Sequence, residues 1–282
     1  MKYFKVFGIV LLFAALCIPC LEAQNASSSA KTQTPESNSL KGMSLNGSTG
    51  LYSIPTGRIG WERTRDIGFD LGYHTVIHDK EATHIPKIGI SLFKWVELNA
   101  AFDIQPDEFL TEDKGTDFIG SAKIQFPFTK VAVALGGNFQ ALNMWNSREF
   151  RYKAGQVYAA VTYAGKFFNT PAETTVVVGK TFIEDSMNWD IDFGMGFDIV
   201  VFPKYLNQYV HWVTDFSNFS YSVEAFGVDS WYRGVVNTGL RIDLTVIPIF
   251  KKFRFVIDIF MTDAFDKDRG FSAGMVFGVP IL

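Results

Sequence analysis

Apolar and polar residues alternate one for one through most of this chain, in blocks near ten residues long. In the stretch WDIDFGMGFDIVV, Trp189, Ile191, Phe193, Met195, Phe197, Ile199 and Val201 alternate with Asp190, Asp192, Gly194, Gly196, Asp198 and Val200. A period of two belongs to a β-strand, whose successive side chains point to opposite faces of a sheet. One face therefore avoids water and the other seeks it. The same period marks residues 66–77, 85–93, 95–104, 117–126, 131–141, 155–164, 174–183, 189–201, 218–227, 236–247, 253–262 and 271–280, with no helical pattern of similar length between them. The fold class is all-β. A soluble β-sandwich shares the alternation, but its strands usually run about 5–6 residues, whereas a tilted strand needs about 9–11 to cross a bilayer. The expected architecture is an antiparallel transmembrane β-barrel of about 12 strands, within a range of about 10 to 14.

The connections fit that reading. Residues 78–84, 105–116, 142–154, 184–188, 228–235 and 263–270 alternate along the chain with the shorter 94, 127–130, 165–173 and 248–252. Long loops outside and short turns on the periplasmic side are what such barrels show. The stretch 202–217 breaks the rule, being long on the short side. It is expected to form a short amphipathic helix at the periplasmic interface, unless a strand is miscounted there. Aromatic residues gather near strand ends, among them Trp95, Phe126, Phe128, Phe167, Phe168, Phe202, Tyr205 and Phe253, as interfacial girdles require.

The N-terminus places the chain. Lys2 and Lys5 precede the apolar run FGIVLLFAALCIPC, and small Ala23 precedes Gln24, which is the pattern of a secretory signal peptide over residues 1–23 with cleavage between Ala23 and Gln24. The run is shorter than the roughly 20 residues of a spanning helix. Cys17 and Cys20 are the chain's two cysteines, so the exported protein has none and takes no stability from disulfides. Residues 24–46 are rich in Ser, Thr and Asn and read as a flexible polar leader, leaving 47–282 as the barrel. A net charge of -3 argues against a nucleic-acid partner, which would want a basic face. The expected surroundings are outer-membrane lipid in a diderm bacterium, reached with the barrel-assembly machinery and periplasmic chaperones.

Function then depends on the polar faces, which meet inside the barrel. The inward set includes the carboxylates Asp66, Asp70, Glu97, Asp103, Asp117, Asp190, Asp192, Asp198, Glu224, Asp243 and Asp258, against the cations Lys123, Lys180, Arg241 and Arg254. That imbalance points to a narrow, porin-like passage with an acidic, cation-leaning lining for small polar solutes. The alternative is a closed barrel, its charges paired internally, that displays loops for adhesion or interaction.

No pattern asks for a catalytic group, metal or cofactor. Gly270-Phe271-Ser272-Ala273-Gly274 matches a nucleophile elbow in letters only, since that chemistry needs a following helix and downstream Asp and His. His74 and His78 share a strand face, but stand roughly 13 Å apart in extended geometry, too far for one ion.

Two resemblances add to this. Ser272, Gly274, Phe277 and Val279 have the spacing polar-x-Gly-x-x-apolar-x-apolar, which resembles the signal that bacterial outer-membrane barrels present to the barrel-assembly machinery; Pro280-Ile281-Leu282 replaces the usual terminal aromatic. Gly50-Leu51-Tyr52-Ser53-Ile54-Pro55-Thr56-Gly57-Arg58 resembles the Gly-Leu-x-x-x-Pro-Thr-Ala-Arg opening of YjbH-like outer-membrane barrels, with Gly57 in place of Ala. That resemblance implies polysaccharide-related export and carries no site residues with it.

Overall fold

The computed structural model describes residues 42–61, 66–78, 81–104, 116–128, 130–141, 153–183, 191–206, 208–218, 234–250, 252–266 and 269–281. A miniature hairpin comes first: β1 (Gly42–Met43) pairs antiparallel with β2 (Thr49–Gly50). The wall follows as β3 (Ile67–His78), β4 (Glu81–Leu92), β5 (Val96–Ile104), β6 (Thr116–Pro127), β7 (Val131–Ala141), β8 (Lys153–Phe167), β9 (Thr170–Ile183), β10 (Asp192–Val200), β11 (Val210–Ser217), β12 (Val235–Asp243), β13 (Arg254–Thr262) and β14 (Gly270–Pro280). Each pairs with its sequence neighbours, and β14 pairs with β3, so the sheet closes on itself. Closure removes the unpaired edges that an open sheet would expose to lipid.

Alternation sorts the side chains as expected. In β10, Asp192, Gly194, Gly196, Asp198 and Val200 are buried inside, while Phe193, Met195, Phe197 and Ile199 face out. Around the wall, Leu71, Ile88, Leu98, Ile124, Leu135, Val157, Val176, Leu240, Ile259 and Met275 form an exposed apolar belt. Water would penalise that belt and hydrocarbon favours it. The protein is a closed transmembrane β-barrel.

At the end with the short turns, Phe93, Trp95, Phe128, Phe168, Phe202, Tyr205 and Phe253 are exposed, as in an interfacial girdle. Phe168 and Asn169 make the β8–β9 turn with φ 45° and 66°, the left-handed conformation that a two-residue turn matched to strand twist demands.

One strand lies elsewhere than the sequence pattern put it. Residues 210–217, taken for part of a long inner connection and its amphipathic helix, are β11; the expected strand at 218–227 falls almost wholly outside the described residues. The strand total stays at twelve, and the connection after β10 shortens to 201–209. The cause is inside the barrel. β11 turns apolar Val213 inward and polar Thr214 outward, which blurs the binary pattern. The leader boundary moves as well. Residues 42–46, expected to belong to the flexible leader, are buried within the lumen.

Candidate functional site: the occupied lumen

Residues 42–61 fold inside the barrel. Nearly all are buried, and their only ladder is the two-pair β1–β2 hairpin with the bridge from Gly50 to Pro55. Nothing in this segment pairs strand-to-strand with the wall. An irregular buried backbone must still place its N–H and C=O groups, and here wall side chains take them.

Three wall cations hold its carbonyls. Lys87 Nζ donates to Met43 O at 3.3 Å and Ser44 O at 2.9 Å. Lys123 Nζ donates to Thr49 O at 2.8 Å and Thr56 O at 3.3 Å. Arg241 donates to Gly50 O at 2.9 Å and Leu51 O at 3.2 Å, while its Nε and Nη2 make a bidentate pair with Asp258 at 2.8 and 3.0 Å. Wall acceptors take the N–H groups. Glu97 receives Thr49 N at 2.7 Å and Gly60 N at 2.9 Å, and Asp215 receives Tyr52 N at 2.8 Å and Ser53 N at 2.7 Å. Thr162 Oγ1 takes Gly57 N and Gln125 Oε1 takes Ile59 N, both at 2.8 Å. The segment's own charge is matched too, Arg58 Nε donating to Glu173 at 2.8 Å.

Apolar packing completes the fit. Leu45, Leu51, Tyr52 and Ile54 join inward-facing Val76, Ile85, Ile119, Val177, Val213 and Phe260 in one buried cluster, with the Tyr52 and Phe260 rings 4.6 Å apart. Close approach explains Gly57: a Cβ there would lie 2.2 Å from the Ala132 carbonyl oxygen. At the turn end Trp61 lies against Gly68 and donates to Asp70 at 3.1 Å, and Asp70 also receives Arg254 at 3.0 Å.

Of the residues proposed to line a pore, Asp70, Glu97, Asp103, Lys123, Asp192, Asp198, Arg241, Arg254 and Asp258 are buried and face the lumen. Asp198 pairs with His211, and Asp192 receives Gln156 at 2.8 Å. Asp243 ends β12 and caps the 3-10 turn Leu244–Val246 by accepting from Thr245 N at 2.8 Å. Asp190 and Glu224 lie outside the described residues, as do Ala23 and Gln24. Two inward assignments are corrected. Asp66 sits exposed at the turn end, 3.2 Å from Lys94, and Lys180 lies opposite lipid-facing Val157 on the outer wall. In β14, Ser272 is buried and inward, the His74 ring lies against Gly274, and Phe277 faces out. Ser272 thus sits in a strand, with no helix after it to build a nucleophile elbow.

Sequence reading passed over Lys87, Thr162, Glu173, His211 and Asp215. The signal was present: Val76, Ile85, Ile119, Val177, Val213 and Phe260 are apolar at inward positions, where a water-filled passage has no use for them and an internal segment does.

No protein-family description matches the sequence, and no curated protein matches it. Among solved structures the chain is similar to a KdgM porin, with TM-score 0.49 and 6% identity over 74% of this chain and 98% of that one. It is also similar to the outer membrane protein Omp33 of Acinetobacter baumannii, with TM-score 0.41 and 12% identity over 76% and 97% of the two chains. A third is the outer membrane protein OprD of Pseudomonas aeruginosa, with TM-score 0.31 and 8% identity over 82% and 98%.

Proposed function

We propose that this protein is a narrow outer-membrane channel for small polar solutes that its own residues 42–61 hold closed. The observation that carries this reading is how the segment is attached. Side-chain hydrogen bonds from Lys87, Lys123, Arg241, Glu97 and Asp215 hold it, and no strand ladder ties it to the wall. Each such contact can be replaced by water, so the segment can shift while the wall stays intact. The acidic excess then gives the opened passage a preference for cations. The likeness of Gly50–Arg58 to YjbH-like barrels favours polysaccharide-related cargo over simple ions.

Planar-bilayer recording tests it. Wild-type protein should show rare, small steps. Glu97→Gln with Asp215→Asn, which loosens the grip on four backbone N–H groups, should raise open probability severalfold. Adding Asp192→Lys should then reduce the cation preference, most clearly at low salt, since screening lengths fall from about 10 Å at 0.1 M to about 3 Å at 1 M. Loosened variants that insert normally yet never conduct would leave the other reading, a closed barrel displaying its loops, which the filled lumen also suits.

A further inference from the structure

The upper lumen, at the end with the long loops, contains a carboxylate that the internal segment does not satisfy. Asp103 stands next to last in β5, and its register partner across the β5–β6 ladder is Asp117. Both side chains point inward and both are buried, Asp103 to 3% exposure. Like charges directly opposite on neighbouring strands destabilise a sheet. Other lumen carboxylates have partners of their own: Asp70 with Arg254, Glu97 with Lys123, Glu173 with Arg58, Asp198 with His211, Asp258 with Arg241, Asp192 with Gln156 and Thr181, and Asp215 with backbone N–H groups. Asp103 Oδ1 has no hydrogen-bond partner, and among the described residues no Lys, Arg or His pairs with this carboxylate.

A second orphan lies alongside. Gln140, next to last in β7 and 2% exposed, donates its Nε2 to Asp117 Oδ2 at 3.3 Å. Its Oε1, held beside the same carboxylate by that bond, has no partner. Three adjacent strands thus bring two carboxylates and a carboxamide to one corner of the rim, with Gln140 reaching Asp117 diagonally from its position opposite Ile119, and fully buried Ala101 and Ile119 adjoin them.

We propose that Asp103, Asp117 and Gln140 Oε1 form a site for a hard divalent cation, of the calcium class, at the outer rim of the lumen. Every donor is an oxygen, two of them carry charge, and calcium accepts carboxylates, carboxamide oxygens and water together in flexible geometry. Binding there removes the Asp103–Asp117 repulsion and ties β5, β6 and β7 together at the outer rim. The partner that Asp103 lacks among the described residues is then supplied by the cation.

The test uses barrel folded in detergent from the full exported chain, with CaCl2 or EDTA, and reads the midpoint of thermal unfolding by loss of the fast-migrating unboiled form. Wild-type protein should gain about 5 °C when calcium is well above its dissociation constant. Asp103→Asn should lose that response and, in EDTA, be at least as stable as wild type, because the repulsion is gone. Gln140→Met, which keeps the volume and removes the oxygen, should raise the half-saturating calcium concentration severalfold; equilibrium dialysis with calcium reads the same change without unfolding. A calcium response that survives Asp103→Asn overturns the assignment. So does a wild-type midpoint that rises on acidification alone and ignores calcium, which would make a proton the counter-charge. The site's failure would leave the closed-channel reading untouched, since neither measurement involves conductance.

Discussion

The wall and the segment inside it are built on opposite principles. In the wall, backbone groups pair with backbone across twelve closed ladders, leaving side chains free to divide between lipid and lumen. In residues 42–61 turns and the small hairpin pair part of the backbone, and wall side chains serve as partners for many of its other groups. The wall's ladders close without any strand from the segment. Several charges that look like the lining of an aqueous pore, Asp70, Glu97, Lys123 and Arg241 among them, are therefore sockets for a peptide.

The largest effect should follow from removing the residue common to both. Arg241 is fully buried, grips two segment carbonyls and balances fully buried Asp258. Arg241→Ala strands that carboxylate, and unfolding in urea should show a loss of about 3–5 kcal/mol, the penalty for half of a buried ion pair. Next comes a change confined to the wall. Leu135 lies mid-strand on the lipid face, so Leu135→Arg should cost about 2–4 kcal/mol, while Phe271→Arg near a strand end should cost about 0–1 kcal/mol. Neither should expose the segment. Asp243→Ala removes a cap at the turn end and should cost about 1 kcal/mol. The smallest effect on stability and the most specific to the segment is Gly57→Ala: its methyl group meets the Ala132 carbonyl, so the segment must shift and the rare conducting steps should become more frequent while the unfolding midpoint barely moves. Equal damage to wall and segment from all five changes would erase the distinction between them.

The wall was legible in the sequence because a strand's period survives whatever the strand encloses. Asp70, Glu97, Lys123, Arg241 and Asp258 declared themselves as inward polar residues in otherwise apolar blocks. Their purpose did not, because pairing across the lumen joins residues far apart in sequence; Asp215 and Tyr52 are an example. Where the segment imposes its own needs on the wall, the pattern failed. Val213 faces inward into the buried cluster that also holds Leu51 and Tyr52, and β11 escapes the binary pattern for that reason. The segment itself has no periodicity to read. Only three-dimensional packing makes its Gly-Leu-Tyr-Ser-Ile-Pro-Thr-Gly-Arg run the barrel's content.

Chemical access to the segment tests the central claim most directly. Protein beginning at Gln24 has no cysteine, so Ser44→Cys gives a single thiol at a fully buried site and Lys204→Cys a single thiol at an exposed turn. With a membrane-impermeant maleimide applied to folded barrel in open detergent micelles, the turn thiol should label at once and the Ser44→Cys thiol only after boiling. Equal labelling rates at the two positions in folded protein would contradict the account, for they would mean that residues 42–61 do not occupy the lumen.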